Sequence, residues 1–187
     1  APDVDEKPVP QPGKIRMFHL GAMDWGPNVE GVNWFVHDVW PQLIEQHPNI
    51  ELHLAGKGLM PRLYEELPGV FNHGEVEDAA AFSSQFDLLV VPLLRGAGIR
   101  VKIVESMAKG IPVATTSKGA LGLDMEGDSC LIHAEPNDFG EALTAIINHP
   151  SRLLDMRTKA KTLVHERFDR NQIGKDLLKF YQRHVQL

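Results

Sequence analysis

Apolar residues fall into two rhythms along this chain, and the rhythms alternate. Short aliphatic runs at 15–21 (IRMFHLG), 50–56 (IELHLAG), 69–74, 87–93 (DLLVVPL), 111–115 (IPVAT) and 129–134 (SCLIHA) have the length of strands. Between them the spacing turns helical. Over 29–47, Val32, Phe35, Val36, Val39, Leu43 and Ile44 fall on one helical face, and further helices are predicted over 78–85 and 99–109, the last closed by Gly110. The 87–93 run is almost unbroken in aliphatics, as in a strand covered on both faces of a parallel sheet. A strand-helix alternation of this kind predicts an α/β fold with a doubly wound, Rossmann-like parallel sheet and right-handed crossovers. From Asn137 the pattern is helical throughout, in segments near 139–148, 152–167 and 171–185.

The first 13 residues, APDVDEKPVPQPG, carry four prolines among charged residues and read as an extended linker ahead of a domain spanning 14–187. A chain that opens in a linker suggests a fragment of something longer. At 187 residues, 43% hydrophobic and 24% charged, it has the composition of an ordinary globular domain. The formal net charge of -6 offers no overall positive field for a polyanion, so nucleic acid is not an expected partner. The single cysteine, Cys130, sits among apolar neighbours and reads as a buried core thiol, which suits a reducing, cytoplasmic setting. No signal peptide and no membrane-spanning run is seen, although a longer protein could still associate peripherally with a membrane.

In doubly wound sheets ligands bind beyond the carboxyl ends of the strands, which directs attention to the loops after Gly21, Gly56, Gly74, Leu93 and Thr116. The most informative is Arg95-Gly-Ala-Gly-Ile-Arg-Val-Lys-Ile-Val-Glu105, joining a buried strand to a helix. Its glycines permit close backbone approach, and a helix N-terminus presents unpaired N–H groups with partial positive charge, so a diphosphate is the natural occupant. Arg100 in the first turn opposes the helix dipole unless an anion is bound there; on the wheel it shares the arc of Val101, Ile103, Val104 and Met107, either facing the cleft or snorkelling from the helix end. Glu105 lies six residues into the predicted helix, roughly 9 Å along the axis, about the reach from a diphosphate to ribose hydroxyls. A carboxylate can accept from both hydroxyls of a vicinal diol, but Glu105 could equally pair with Lys102 or Lys109 on the helix surface.

The stretch GAGIRVKIVESMAKGIPVATT resembles the donor-binding segment of retaining GT-B glycosyltransferases (glycosyl transferases group 1, family 4-like), whose usual form is E-G-F-G-x-P-x-x-E-A-M-A-x-G-x-P-V. The resemblance extends through HLGAMDWGPNVEGVNWF, IELHLAGKG, VFNHGEV and FDLLVVPL, and it covers nearly everything after the linker. It implies the C-terminal, nucleotide-sugar-binding half of a GT-B enzyme, transferring sugar from a donor such as a UDP-sugar to a glycan, lipid or small-molecule acceptor held by an N-terminal half. Glu105 then matches the glutamate that holds the donor ribose, and Gly98, Ile99 and Arg100 match positions lining the diphosphate and sugar. The family's first glutamate falls on Ala97, so half of the paired motif is missing. Gly21 opens a loop, GAMDWGPN, that has no cation where relatives often place phosphate-binding ones. Charge would come from Arg100 and Lys102, with Arg95 or Lys57 either assisting or simply solvated. Gly56-Lys57-Gly58 gives a close backbone approach or a plain turn, and His73-Gly74-Glu75-Val76 sits where the resemblance puts the base.

Nine histidines are scattered without metal-ligand spacing, and no D-x-D motif occurs, so neither a metal nor any other cofactor is expected and a metal-independent mechanism is implied. No residue of this chain is singled out as catalytic. A nicotinamide or flavin oxidoreductase is disfavoured, since Val101 replaces the third glycine of G-x-G-x-x-G and the motif follows the fourth strand instead of the first. The remaining alternative is a non-catalytic nucleotide-binding or regulatory module of the same fold.

Overall fold

A computed structural model describes residues 8–123 and 130–184. Residues 1–7 of the expected linker, Ser129 at the start of the last predicted strand and Val185 at the end of the last predicted helix lie outside the described residues.

Six strands, β1 (Arg16–Leu20), β2 (Glu51–Ala55), β3 (Val70–Asn72), β4 (Leu88–Val91), β5 (Val113–Thr116) and β6 (Ile132–Ala134), form one sheet in the order β3-β2-β1-β4-β5-β6, with every pairing parallel. This is the doubly wound sheet that the alternation predicted. The winding reverses between β1 and β4, which makes the gap beyond their carboxyl ends the place where a ligand fits.

Period-two alternation sorts side chains between two cores. Met17, Leu88 and Val90 join α1 (Gly26–Trp34), α2 (Trp40–Gln46) and α5 (Phe139–Asn148) on one face. Phe18, Leu89 and Val91 join α3 (Ala79–Ser83), α4 (Val101–Ala108) and α6 (Arg152–Phe168) on the other. A last helix, α7 (Arg170–His184), packs on α6 and leaves Leu177, Leu178 and Phe180 exposed. Cys130 is buried in the second core, as its neighbours suggested.

Two departures from the sequence pattern matter. The predicted 29–47 helix begins at Gly26 and is interrupted by a π-helical turn at Phe35–Val39, so one straight wheel does not describe it. Helix α4 begins at Val101 instead of Ile99, because Arg100 is its N-cap with extended backbone (φ -86°, ψ 96°). Val101 consequently faces outward, 64% exposed, while Ile103 and Met107 are buried as expected. Where α1 crosses the end of β4, Gly31 lies against the Pro92 carbonyl so closely that no side chain fits between them.

Candidate functional site

Helix α1 follows β1 and helix α4 follows β4, so both N-termini come to the place where the sheet reverses. Gly21, directly after β1, lies between them, and the position of a Cβ on Gly21 would be 2.7 Å from Lys102 Nζ, 2.8 Å from Asn28 Nδ2 and 3.0 Å from His19 Nε2. Three nitrogens from β1, α1 and α4 thus converge on one glycine.

Each is fixed by its own element. Asn28, buried in the first turn of α1, donates from Nδ2 to the Ala22 carbonyl (2.8 Å) and accepts from Lys102 Nζ on Oδ1 (3.1 Å). His19, buried in β1, donates from Nδ1 to the Val90 carbonyl of β4 (2.9 Å), which leaves Nε2 as a bare acceptor, buried and without a partner. Burial, reinforced by the Lys102 charge, lowers the His19 pKa to about 3, so the ring is neutral. Burial, followed by the Arg100 charge, lowers the Lys102 pKa from 10.5 to about 8. Among the described residues no carboxylate pairs with Lys102.

Arg100 is half-buried. Its guanidinium folds back over Gly96 and lies 5.7 Å from the centre of the Trp25 ring, with Nε and Nη2 buried and unpartnered. Gly96 and Gly98 both have positive φ (123° and 81°), the backbone freedom that this turn requires. Ala97, Gly98 and Ile99 are exposed on it. A cation unpartnered beside a helix N-terminus is a standing cost that an anion would relieve.

Glu105 is exposed on α4 and lines a small cleft of about 80 Å³ with Lys102, Phe18, Leu20, Ala79 and Ser83. It stands four residues into the observed helix, roughly 6 Å along its axis, two residues less than the sequence suggested. Among the described residues it forms no ion pair with Lys102 or Lys109. The carboxylate is therefore free to accept from a ligand.

The remaining sequence candidates separate. Gly56 N–H donates to the Gly74 carbonyl (2.8 Å), and Gly56 packs directly on the Gly21 carbonyl. Lys57 contributes its carbonyl, which accepts from Met23 N–H (2.7 Å), while its side chain is exposed. Arg95 is tied to Glu30 of α1 by an ion pair, so it does not face the crevice as a spare cation. Glu75 is exposed, Val76 packs on the second core, and His73 bonds to His53 (2.9 Å), which in turn bonds to Glu51 (3.0 Å). Burial lowers the pKa of both His53 and His73.

Sequence reading missed His19, Asn28 and Trp25. His19 looked like one more strand residue, and Asn28 is brought to Lys102 across 74 positions. The one local signal was Asn28 following Pro27 at the opening of α1. A larger groove, 460 Å³, lies between the π turn, α2 and the start of α5; its lining includes Asp38, Gln42 and Glu141 but no Lys, Arg or His, so nothing there answers a phosphate. Among the described residues no group of three or more His, Cys, Asp or Glu is arranged to hold a metal ion, and no helix is long and apolar enough to cross a membrane.

The family described as Glycosyl transferases group 1 matches residues 14–149. An uncharacterized 44.6 kDa protein in the cps region of Klebsiella pneumoniae is 25% identical over 194 residues, covering 92% of this chain and 49% of that protein. A phosphatidyl-myo-inositol mannosyltransferase of Mycolicibacterium smegmatis is 25% identical over 151 residues, covering 76% and 39%. This chain thus spans half or less of the length of these relatives. Among solved structures, TarM of S. aureus superposes with a TM-score of 0.76 at 16% identity, covering 93% of this chain and 36% of TarM. Anabaena Alr3699/HepE in complex with UDP-glucose superposes with a TM-score of 0.69 at 16% identity, covering 91% and 49%.

Proposed function

With residues 14–149 matched, the chain belongs to the glycosyl transferases group 1 family, and we propose that its crevice between β1 and β4 binds the nucleoside diphosphate of a sugar donor. The observation that carries this reading is the pair of cations held without carboxylate partners at the start of α4, Lys102 facing Gly21 and Arg100 folded over Gly96. The diphosphate lies against Gly21, the α4 N-terminus and these two side chains. Glu105 accepts from the ribose hydroxyls, and the base lies toward the loop 73–76.

In the transfer itself the bond between the anomeric carbon and the diphosphate breaks, the electron pair leaves with the phosphate oxygen, and an acceptor hydroxyl oxygen bonds the anomeric carbon as its proton passes to that departing phosphate oxygen. Negative charge grows on the leaving diphosphate, where Arg100, Lys102 and the α4 dipole oppose it without a metal ion. This chain spans half or less of its curated relatives, and the acceptor, a glycan, lipid or small molecule, is held by a second half. Transfer retains the anomeric configuration. UDP is the expected nucleotide, since a structural neighbour was crystallised with UDP-glucose.

Thermal-shift and calorimetric titration of the 187-residue chain with UDP-, GDP- and ADP-sugars and with NAD tests the proposal. Stabilisation by UDP-sugars, with none by NAD, is expected. Absence of binding by every nucleotide sugar would overturn it.

A further inference from the structure

Lys102 is an unusual phosphate ligand in that its ammonium is set in place before any ligand arrives. An ammonium has three N–H donors, and one is already committed to Asn28 Oδ1. Asn28 cannot swing away, because its Nδ2 is engaged by the Ala22 carbonyl and its backbone N–H by the Trp25 carbonyl (3.0 Å). Beside the pair stands His19, pinned to Val90, whose unpartnered Nε2 presents a lone pair, not a charge, at the same Gly21 position that the ammonium meets.

Resting on the donor-site reading above, we propose that Asn28, backed by the neutral ring of His19, is a positioning residue that holds the Lys102 ammonium over Gly21, so that in mildly alkaline solution the chain takes up a ligand phosphate together with one proton. The proton comes from solvent and converts the Lys102 amine to the ammonium that meets the phosphate.

Few other groups near Lys102 can mimic this behaviour. From β1 it meets His19, neutral throughout the range; from α1, uncharged Asn28; from α3, Ala79 and Ser83 across the small cleft; and along α4, Arg100, Glu105 and Lys109. A phosphate loses its second proton near pH 6, below the range of interest. With Lys102 half-charged near pH 8, the binding-competent fraction falls by about tenfold between pH 7 and pH 9.

The test is calorimetric titration of the chain with UDP between pH 7 and pH 9, in buffers of different ionisation enthalpy, with uridine as the phosphate-free control. Expected is a fall in UDP affinity of about tenfold beyond any change for uridine, with uptake of about one proton at the alkaline end. Lys102→Met should bind UDP more weakly and without that pH step. Asn28→Asp places a carboxylate beside the ammonium, which raises the Lys102 pKa and competes with the phosphate; UDP should bind at least about tenfold more weakly at pH 7, and the step should move beyond pH 9. Thermal melts establish that each variant is folded, and Lys102→Met decides the matter if Asn28→Asp is not. A UDP affinity that is level across the range, or an Asn28→Asp protein that titrates like the native one, would overturn this inference while leaving the donor site intact. Failure of UDP to bind the native chain at any pH would overturn the donor-site reading and this inference with it.

Discussion

Along the wall of the crevice formed by the ends of β1, β2 and β3, backbone hydrogen bonds run from Gly21 to Ala55, from Met23 to Lys57 and from Gly56 to Gly74, and the Lys57 side chain is exposed. The wall opposite, from β4 into α4, has positive-φ glycines at 96 and 98, an exposed turn, and the two unpaired cations. One wall is shaped by backbone, and the other is charged by side chains. The contrast separates two roles that many phosphate sites combine in a single loop. Substitution on the first wall should act through folding, and substitution on the second through affinity.

Gly56→Ala is the severest way to break the contrast. Gly56 has φ 147°, and its Cβ would stand 1.8 Å from the Gly21 carbonyl oxygen, so backbone strain and a backbone collision act together. A loss on the order of 3 to 5 kcal/mol follows, lowering the thermal midpoint by roughly 10 °C or more. A midpoint within about 2 °C of native would show that this wall yields easily.

On the charged wall, Arg100→Ala should leave the midpoint close to native and weaken UDP by roughly 10- to 100-fold, the loss of a charge-assisted bond of about 1.5 to 3 kcal/mol. Lys57→Ala serves as its control and should bind as the native chain does. Unchanged UDP affinity in Arg100→Ala would reduce Arg100 to a cap residue resting on Trp25.

The smallest effect is expected at Glu105, where Glu105→Gln exchanges a charged acceptor for an amide facing two hydroxyl donors. Titrating both proteins with UDP and 2′-deoxy-UDP should give a coupling of about 1 kcal/mol, because enzyme and ligand changes remove the same interaction. Zero coupling would remove the ribose from Glu105.

The backbone-built wall was also the more legible one. Strand ends at Gly21, Gly56 and Gly74 follow from alternation and glycine punctuation, both local properties. The sheet was readable for the same reason, since β4 must be aliphatic on both faces when helices cover both. On the charged wall the sequence pointed to Arg100 and Lys102 but not to what holds or frees them. Arg95 could be read as an assisting cation until the fold brought Glu30 beside it, and Asn28 was only the last residue of the loop GAMDWGPN until Lys102 arrived from α4. Pairings across tens of residues have no periodic signature. The start of α4 was misread for a simpler reason, because Ile99 extends the apolar pattern although its backbone is not helical.

The π turn at Phe35–Val39 bears on how this chain should be aligned with others. There the Trp40 N–H reaches the Phe35 carbonyl, five positions back, and the residue that follows is Pro41, whose ring would strike the His37 carbonyl in an unbroken α-helix. Such a turn holds one residue more than an α-helical turn does, inside the helix instead of in a loop. It allows Val32 before it, Phe35 and Val36 within it, and Trp40 and Leu43 after it all to reach the same core. Deleting one codon within it would turn the segment 40–46 by about 100°, taking Trp40 out of the core and its indole N–H away from the Pro68 carbonyl (2.8 Å). For a relative with a plain α-helix here, the alignment gap belongs in the middle of the helix, and moving it to the nearest loop would misassign every residue in between.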